Sequence, residues 1–159
     1  MKRLTLLVLF AAAVISIAAQ NEDDFAATFM KRFGEGGTLS CSTVSPTMME
    51  RLLQSEEIEL DEHKAMLLKN IRSVRIVQEK AGRKDATLYN AAAGMLDDNP
   101  KRYQLRDEYD GKKLYIRQRG KTILEIILLA RDEGALQIVD ITGLMDNKII
   151  QLLTKRVKS

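Results

Sequence analysis

The sequence predicts an α+β protein: an antiparallel sheet ending in a four-strand meander, with helices packed on the sheet. Three observations lead there. Between Tyr103 and Thr142, four runs rich in β-branched, aromatic and aliphatic residues are separated only by Asp110-Gly111, Arg119-Gly120 and Asp132-Glu133-Gly134. Links of two or three residues simply reverse the chain, so neighbouring strands must be antiparallel. The third run, TILEIILLAR, is apolar on both faces apart from Glu125, which predicts a central strand covered on at least one side. Upstream, short segments carry apolar residues at helical spacing and are bounded by capping residues, Gly or Pro.

The chain opens with MKRLTLLVLFAAAVISIAAQ: a cationic start, a short apolar stretch, then small residues. This is the pattern of a secretory signal peptide, with Ser16 and Ala18 placed for cleavage after Ala18, or one residue later after Ala19. A membrane anchor would need about 20 predominantly apolar residues, and polar Gln20-Asn21-Glu22-Asp23-Asp24 ends this run first. The expected organisation is a leader over residues 1–19 and a single α+β domain over 20–159. The expected destination is the periplasm or the exterior, without stable membrane insertion once the leader is removed.

Next, EDDFAATFMKRF places Phe25, Phe29 and Phe33 on one helical face, with acids at the start and Lys31-Arg32 at the end, as the helix dipole favours. Gly34 is the expected stop. Thr38 to Val44 reads as a strand, and Ser45-Pro46 as an N-cap with proline at the first helical position. That helix runs through Gln54, with Met48, Met49, Leu52 and Leu53 as its apolar side. The polar SEEIELDE connects it to a short helix, HKAMLLKN, capped by Asp61. Ile71 to Gln78 is the next strand. Asp85 is a candidate cap for a helix that buries Leu88, Tyr89, Ala92, Met95 and Leu96 and stops at Asn99-Pro100. The meander follows, its first hairpin closed by the Asp-Gly pair that a type I′ turn prefers. Asp146 then caps a last helix through Lys155. The predicted order is α-β-α-α-β-α-β-β-β-β-α.

Charge excludes one class of function. Of 25 basic residues, Lys2 and Arg3 lie in the leader and none of the 22 acids does, which leaves 23 against 22 in the exported chain. Basic residues are interspersed with acids except at Lys155, Arg156 and Lys158, a pattern that also suits a helix C-terminus. Nucleic-acid binding, which needs a concentrated basic face, is not expected.

No catalytic or metal constellation emerges, and no cofactor is expected. Asp140 in QIVDITGLMDN superficially resembles the strand-end aspartate of aspartyl-phosphate enzymes and aspartic proteases. The former need a second acid two positions on, where Thr142 stands; the latter need two such loops sharing a proton. The stretch instead reads as a strand end, with Gly143 in the turn to the last helix. His63 is the only histidine and Cys41 the only cysteine, so no zinc cluster and no internal disulfide can be assembled. The strand-like surroundings of Cys41, TLSCSTV, predict a buried thiol; a Cys41–His63 nucleophile pair has no local signature. The acids from Glu56 to Glu62 lack the central glycine of a calcium loop and read as a solvated connector. Tyr103, Tyr109 and Tyr115 suit cross-strand packing better than an exposed platform.

The Ser45 to Leu52 helix, the IRSVRIV strand and the ending LYIRQRGKTILEIILLARDEGALQIVDITGLMD together resemble the small exported proteins grouped as "domain of unknown function 4252", known mainly from Bacteroidetes. The resemblance spans roughly residues 22–156 and is most specific from Lys121 to Asp146. It implies that the T-G–D ending joins the last strand to the last helix. The family has no assigned activity, so the resemblance brings no site residues. Many relatives look like lipoproteins, whereas no cysteine stands near the cleavage point of this chain.

The functional expectation is a non-catalytic binding or interaction module in the cell envelope, taking an unknown protein or a small apolar ligand. Phe25, Phe29 and Phe33 with Met48 and Met49 are the candidate walls of an apolar groove. The alternatives are an unrecognised envelope hydrolase and a signalling accessory that acts through a membrane partner.

Overall fold

The computed structural model describes residues 23–54, 62–80 and 86–157. Helix α1 (Phe25–Phe33) leads through a 3-10 turn (Gly34–Gly36) to strand β1 (Leu39–Val44), followed by α2 (Pro46–Gln54) and α3 (Glu62–Lys69). Strand β2 (Ile71–Glu79) and helix α4 (Thr87–Asp97) precede the meander: β3 (Gln104–Tyr109), β4 (Lys112–Arg119), β5 (Thr122–Asp132) and β6 (Ala135–Met145). Helix α5 (Asn147–Val157) closes the described chain. The six strands form one antiparallel sheet in the order β1-β2-β6-β5-β4-β3, so the last strand joins the meander to the first half of the chain. This is the expected α+β architecture, element for element.

The sheet is covered on both faces. Side chains alternate across a strand, and β4 shows the division: Tyr115 belongs to one apolar cluster, Leu114 and Ile116 to the other. The first cluster joins Val77, Ile127, Leu129 and Ile138 to Phe25 and Phe29 of α1 and to Ala92 and Leu96 of α4. The second joins Ile71, Ile126 and Ile141 to Met49 of α2, Leu68 of α3 and Ile149 of α5. Burying each of Phe25 and Phe29 contributes roughly 1.5–3 kcal/mol toward the ordering cost of the helix. No helix among the described residues is long and apolar enough to cross a membrane.

Most expected boundaries hold. Ser45 caps α2 through its Oγ, which accepts the Met48 N–H at 3.3 Å, and Asp146 caps α5 by accepting the Lys148 N–H at 2.8 Å. Asp110 and Gly111, at φ 50° and 72°, form the left-handed pair of the first hairpin turn. The leader with Ala18 and Ala19, the connector 55–61 with the cap Asp61, and the candidate cap Asp85 lie outside the described residues.

Gly34 ends α1 as expected, as its C-cap, though in a right-handed conformation; the chain then tightens into the 3-10 turn, and Gly37 takes the positive φ of 67°. Two expectations are corrected. Cys41 is exposed, not buried. Its strand is the sheet edge, and from Ser40 to Thr43 neither helical layer reaches over it, so both faces meet solvent. Gly143 is not in a turn: β6 continues through it to Met145. The backbone of Asn70 and Ile71 crosses so closely that a Cβ on Gly143 would stand 2.1 Å from the Asn70 carbonyl oxygen. Here β2 shifts register between Ile71 and Ser73, and the Leu144 N–H donates to that same carbonyl at 3.0 Å. Glycine serves close backbone approach rather than chain reversal.

Gly143→Ala should therefore cost at least about 2 kcal/mol, because backbone rather than a mobile side chain must yield. Gly94→Ala should raise stability by about 0.5–1 kcal/mol, since Gly94 lies within α4 and its added Cβ meets nothing within 4 Å. Urea unfolding midpoints of the two variants should move in opposite directions.

Candidate functional site

The polar centre of the protein begins with two carboxylates whose sequence neighbours are almost all apolar. Asp140 of β6 and Glu125 of β5 lie on the α1 face of the sheet, at 1% and 0% exposure. Asp140 stands opposite Arg75 of β2, and Glu125 opposite Arg117 of β4. The four make a stepped row across four strands, with a cation at each end and two acids between, Glu125 lying diagonal to Asp140 and opposite Thr142. Like charges on neighbouring strands repel, and α1 resolves the conflict by pointing its N-terminus at them. The Phe25 N–H donates to Glu125 Oε1 at 2.6 Å, and the Ala26 N–H to Asp140 Oδ2 at 2.7 Å. The third amide, Ala27 N–H, goes to the N-cap Asp24 Oδ1 at 2.7 Å. Free helix N–H groups and the positive end of the helix dipole thus meet the buried negative charge.

The outer cations complete the arrangement. Arg75 Nε donates to Asp24 Oδ2 at 2.7 Å, and Arg117 Nε to Glu125 Oε2 at 2.6 Å. Asp140 receives less: its Oδ1 is buried with no hydrogen-bond partner. Burial and the adjacent Glu125 charge push the Asp140 carboxyl well above the usual carboxylate range, and the Ala26 N–H only partly opposes them. Asp140 therefore holds its proton where an exposed aspartate would not. Beside this row, Tyr103 packs edge-on against Phe25 with ring centroids 5.8 Å apart. Tyr115 donates its hydroxyl to Asp97 at 2.8 Å, while Tyr109 is half-exposed. Packing thus accounts for two of the three tyrosines.

Next to the α1 N-terminus opens a cleft of about 970 Å³. The N-cap Asp24 and Arg117 of the row reach into it, with Thr142 from β6. Its other charged walls are Arg72, Lys101, Arg102 and Arg119, so five cations face a single acid. That acid is bound to Arg75, and Arg117 is bound to Glu125. Arg102 holds the Tyr103 hydroxyl at 3.0 Å and the Asp23 carbonyl at 3.3 Å. Among the described residues Arg72, Lys101 and Arg119 enter no ion pair, which leaves the rim electropositive. Amide groups from Asn99 and Gln118 add neutral donors and acceptors. The arrangement can hold an anion; for an apolar ligand it offers only Leu124 and Leu144.

The expected apolar groove is not assembled. Phe25 and Phe29 are consumed by the core and Phe33 is half-buried beside them, whereas Met49 packs in the cluster on the opposite face and Met48 is 49% exposed. The sheet stands between the two sets of walls. Cys41 is exposed on the edge strand; His63 belongs to α3, but its side chain lies outside the described residues, as does most of the acidic connector. Among the described residues no cluster of three or more His, Cys, Asp or Glu could hold a metal ion.

The cleft residues escape a reading of the sequence because they come from five separate stretches, and no window of the chain is strongly basic. Glu125 escapes for a sharper reason. A regular register from the Gly120 turn places Leu124 opposite Arg117, but a bulge inserts one residue, so that Gln118 pairs with Ile123 and Arg117 with Glu125. Comparison with protein-family models, curated proteins and solved structures returns no match.

The raised Asp140 carboxyl sets a pH dependence. A buried acid that binds its proton more tightly when folded stabilises fully below the unfolded carboxylate value, and that stability is lost as pH rises through the folded value. Asp140→Asn, which keeps an oxygen for the Ala26 N–H, removes this loss. The difference in urea midpoint between variant and wild type should move in favour of the variant from pH 4 to pH 8. A difference that stays constant over that range would show that Asp140 is ionised in the folded protein.

Proposed function

We propose that this protein is an exported, non-catalytic binding module of the cell envelope, and that the cationic cleft beside the α1 N-terminus is where it takes its ligand. The observation that carries the reading is the cleft itself. Its volume, about 970 Å³, lies within the range of small-molecule sites, and its charged walls converge on one concavity. The leader pattern of residues 1–19 and the resemblance to "domain of unknown function 4252" support export and membership of an envelope family.

The non-catalytic part of the reading rests on where the reactive groups stand. Asp140, whose carboxyl is raised by burial and the adjacent Glu125, is sealed under α1 and bonded to a backbone amide. A general acid must come within hydrogen-bond reach of its substrate, and this one is 1% exposed. Cys41, the thiol on which a hydrolase would draw, sits on an open edge strand between Ser40 and Ser42 rather than in a cleft. The ligand expectation changes accordingly, from apolar to charged.

A native mass spectrum of the protein purified gently from its own envelope fraction tests the reading. The expected result is a fixed excess mass, lost on denaturation: a few hundred daltons for a small ligand, or the mass of a second chain for a protein partner. A bare monomer that turns over an ester or glycoside reporter would refute it.

A further inference from the structure

Resting on that reading, we infer that the cleft selects a small, multiply charged oxyanion, one carrying two or more phosphate or carboxylate groups. The argument begins with the distribution of charge. The exported chain is nearly neutral, with 23 basic residues against 22 acids once Lys2 and Arg3 leave with the leader. Five of those cations nevertheless face one concavity, and the only acid among them, Asp24, is already committed to Arg75. An excess concentrated in a cleft with low-dielectric walls focuses the field on whatever enters it.

The kind of cation narrows the class. Four of the five are arginines, whose planar forks match the paired oxygens of phosphate and carboxylate. Arg117, at 16% side-chain exposure, is recessed and pinned by Glu125, so it enters binding with little rotamer entropy left to lose. Arg72 and Arg119 stand exposed at the rim, from β2 and from the β4–β5 hairpin. A single anionic group cannot satisfy cations spread over a cleft of about 970 Å³, whereas a ligand with several can bridge floor and rim. A nucleic-acid strand would need a basic track continuing across the surface, and outside the cleft the exported chain carries 18 basic residues (23 less five) against 21 acids (22 less Asp24), a net negative charge. Such oxyanions come from two sources, a soluble multivalent anion or the headgroup of an anionic lipid.

Isothermal titration of the purified protein with tripolyphosphate and with citrate, beside sedimentation with vesicles containing cardiolipin, whose headgroup carries two phosphates, tests the inference. Saturable one-to-one binding of either soluble probe is expected, weakening as salt rises. Arg72→Gln/Arg119→Gln should weaken it at least tenfold while leaving the urea midpoint unchanged, because both side chains are exposed. Vesicle binding alone, abolished by the same double variant, supports the inference and identifies the lipid headgroup as the source. Binding that the double variant leaves intact overturns the inference, since the anion then sits elsewhere. Failure of all three probes overturns it too, yet the excess mass in the native spectrum would still stand, so the two readings fail separately.

Discussion

Everything on one face of the sheet depends on the N-terminus of α1 sitting over two buried carboxylates. Charged groups are costly to remove from water, and two of one sign on adjacent strands compound that cost. Glu125 and Asp140 are tolerated because each accepts a backbone amide, because Arg117 and Arg75 stand at the ends of the row, and because burial and the adjacent Glu125 raise the Asp140 carboxyl above the usual carboxylate range, easing the charge between them. The dependence is mutual. Without the carboxylates, the first amides of α1 would be buried against an apolar sheet with nothing to accept them. Without α1, Val77, Ile127, Leu129 and Ile138 would lose the cover of Phe25, Ala26 and Phe29.

The same row fixes the shape of the cleft. Asp24 caps α1 and holds Arg75, and Glu125 holds both Phe25 N–H and Arg117, so two of the cleft's charged groups belong to the core as much as to the surface. The protein thereby separates its charges into two kinds. Those in the floor are compensated by partners within the fold. Those at the rim, Arg72, Lys101 and Arg119, have no ion-pair partner among the described residues and remain available to a ligand.

A second constraint is the seam between β2 and β6, where the two halves of the chain meet. The Ser73 and Thr142 hydroxyls bond across it at 2.8 Å, and Gly143 lets the backbone at Asn70 pass at a distance no side chain would permit. This seam places Arg72, just before Ser73, beside Thr142 and Gly143 at the mouth of the cleft. Packing at the seam therefore decides which cations face one another.

By itself the sequence determined the order and type of the helices and strands among the described residues, apart from the 3-10 turn after α1, and with them the capping by Ser45 and Asp146, the Asp110-Gly111 turn and the antiparallel meander. These follow from local chemistry: hydrophobic period, cap residues, and links too short to do anything but reverse the chain. It also marked Glu125 and Asp140 as lone acids in apolar strands, without saying what they met. Their partners were decided by tertiary structure alone, because a bulge near Leu124 pairs Glu125 with Arg117, and a helix about one hundred residues away in sequence supplies the amides. The exposure of Cys41 depended on its strand falling at the sheet edge, and the separation of the Phe and Met walls on which face each helix covered. The cleft is the clearest case. A cation's position along the chain carries no information about which other cations it will face, and only folding brought these five together.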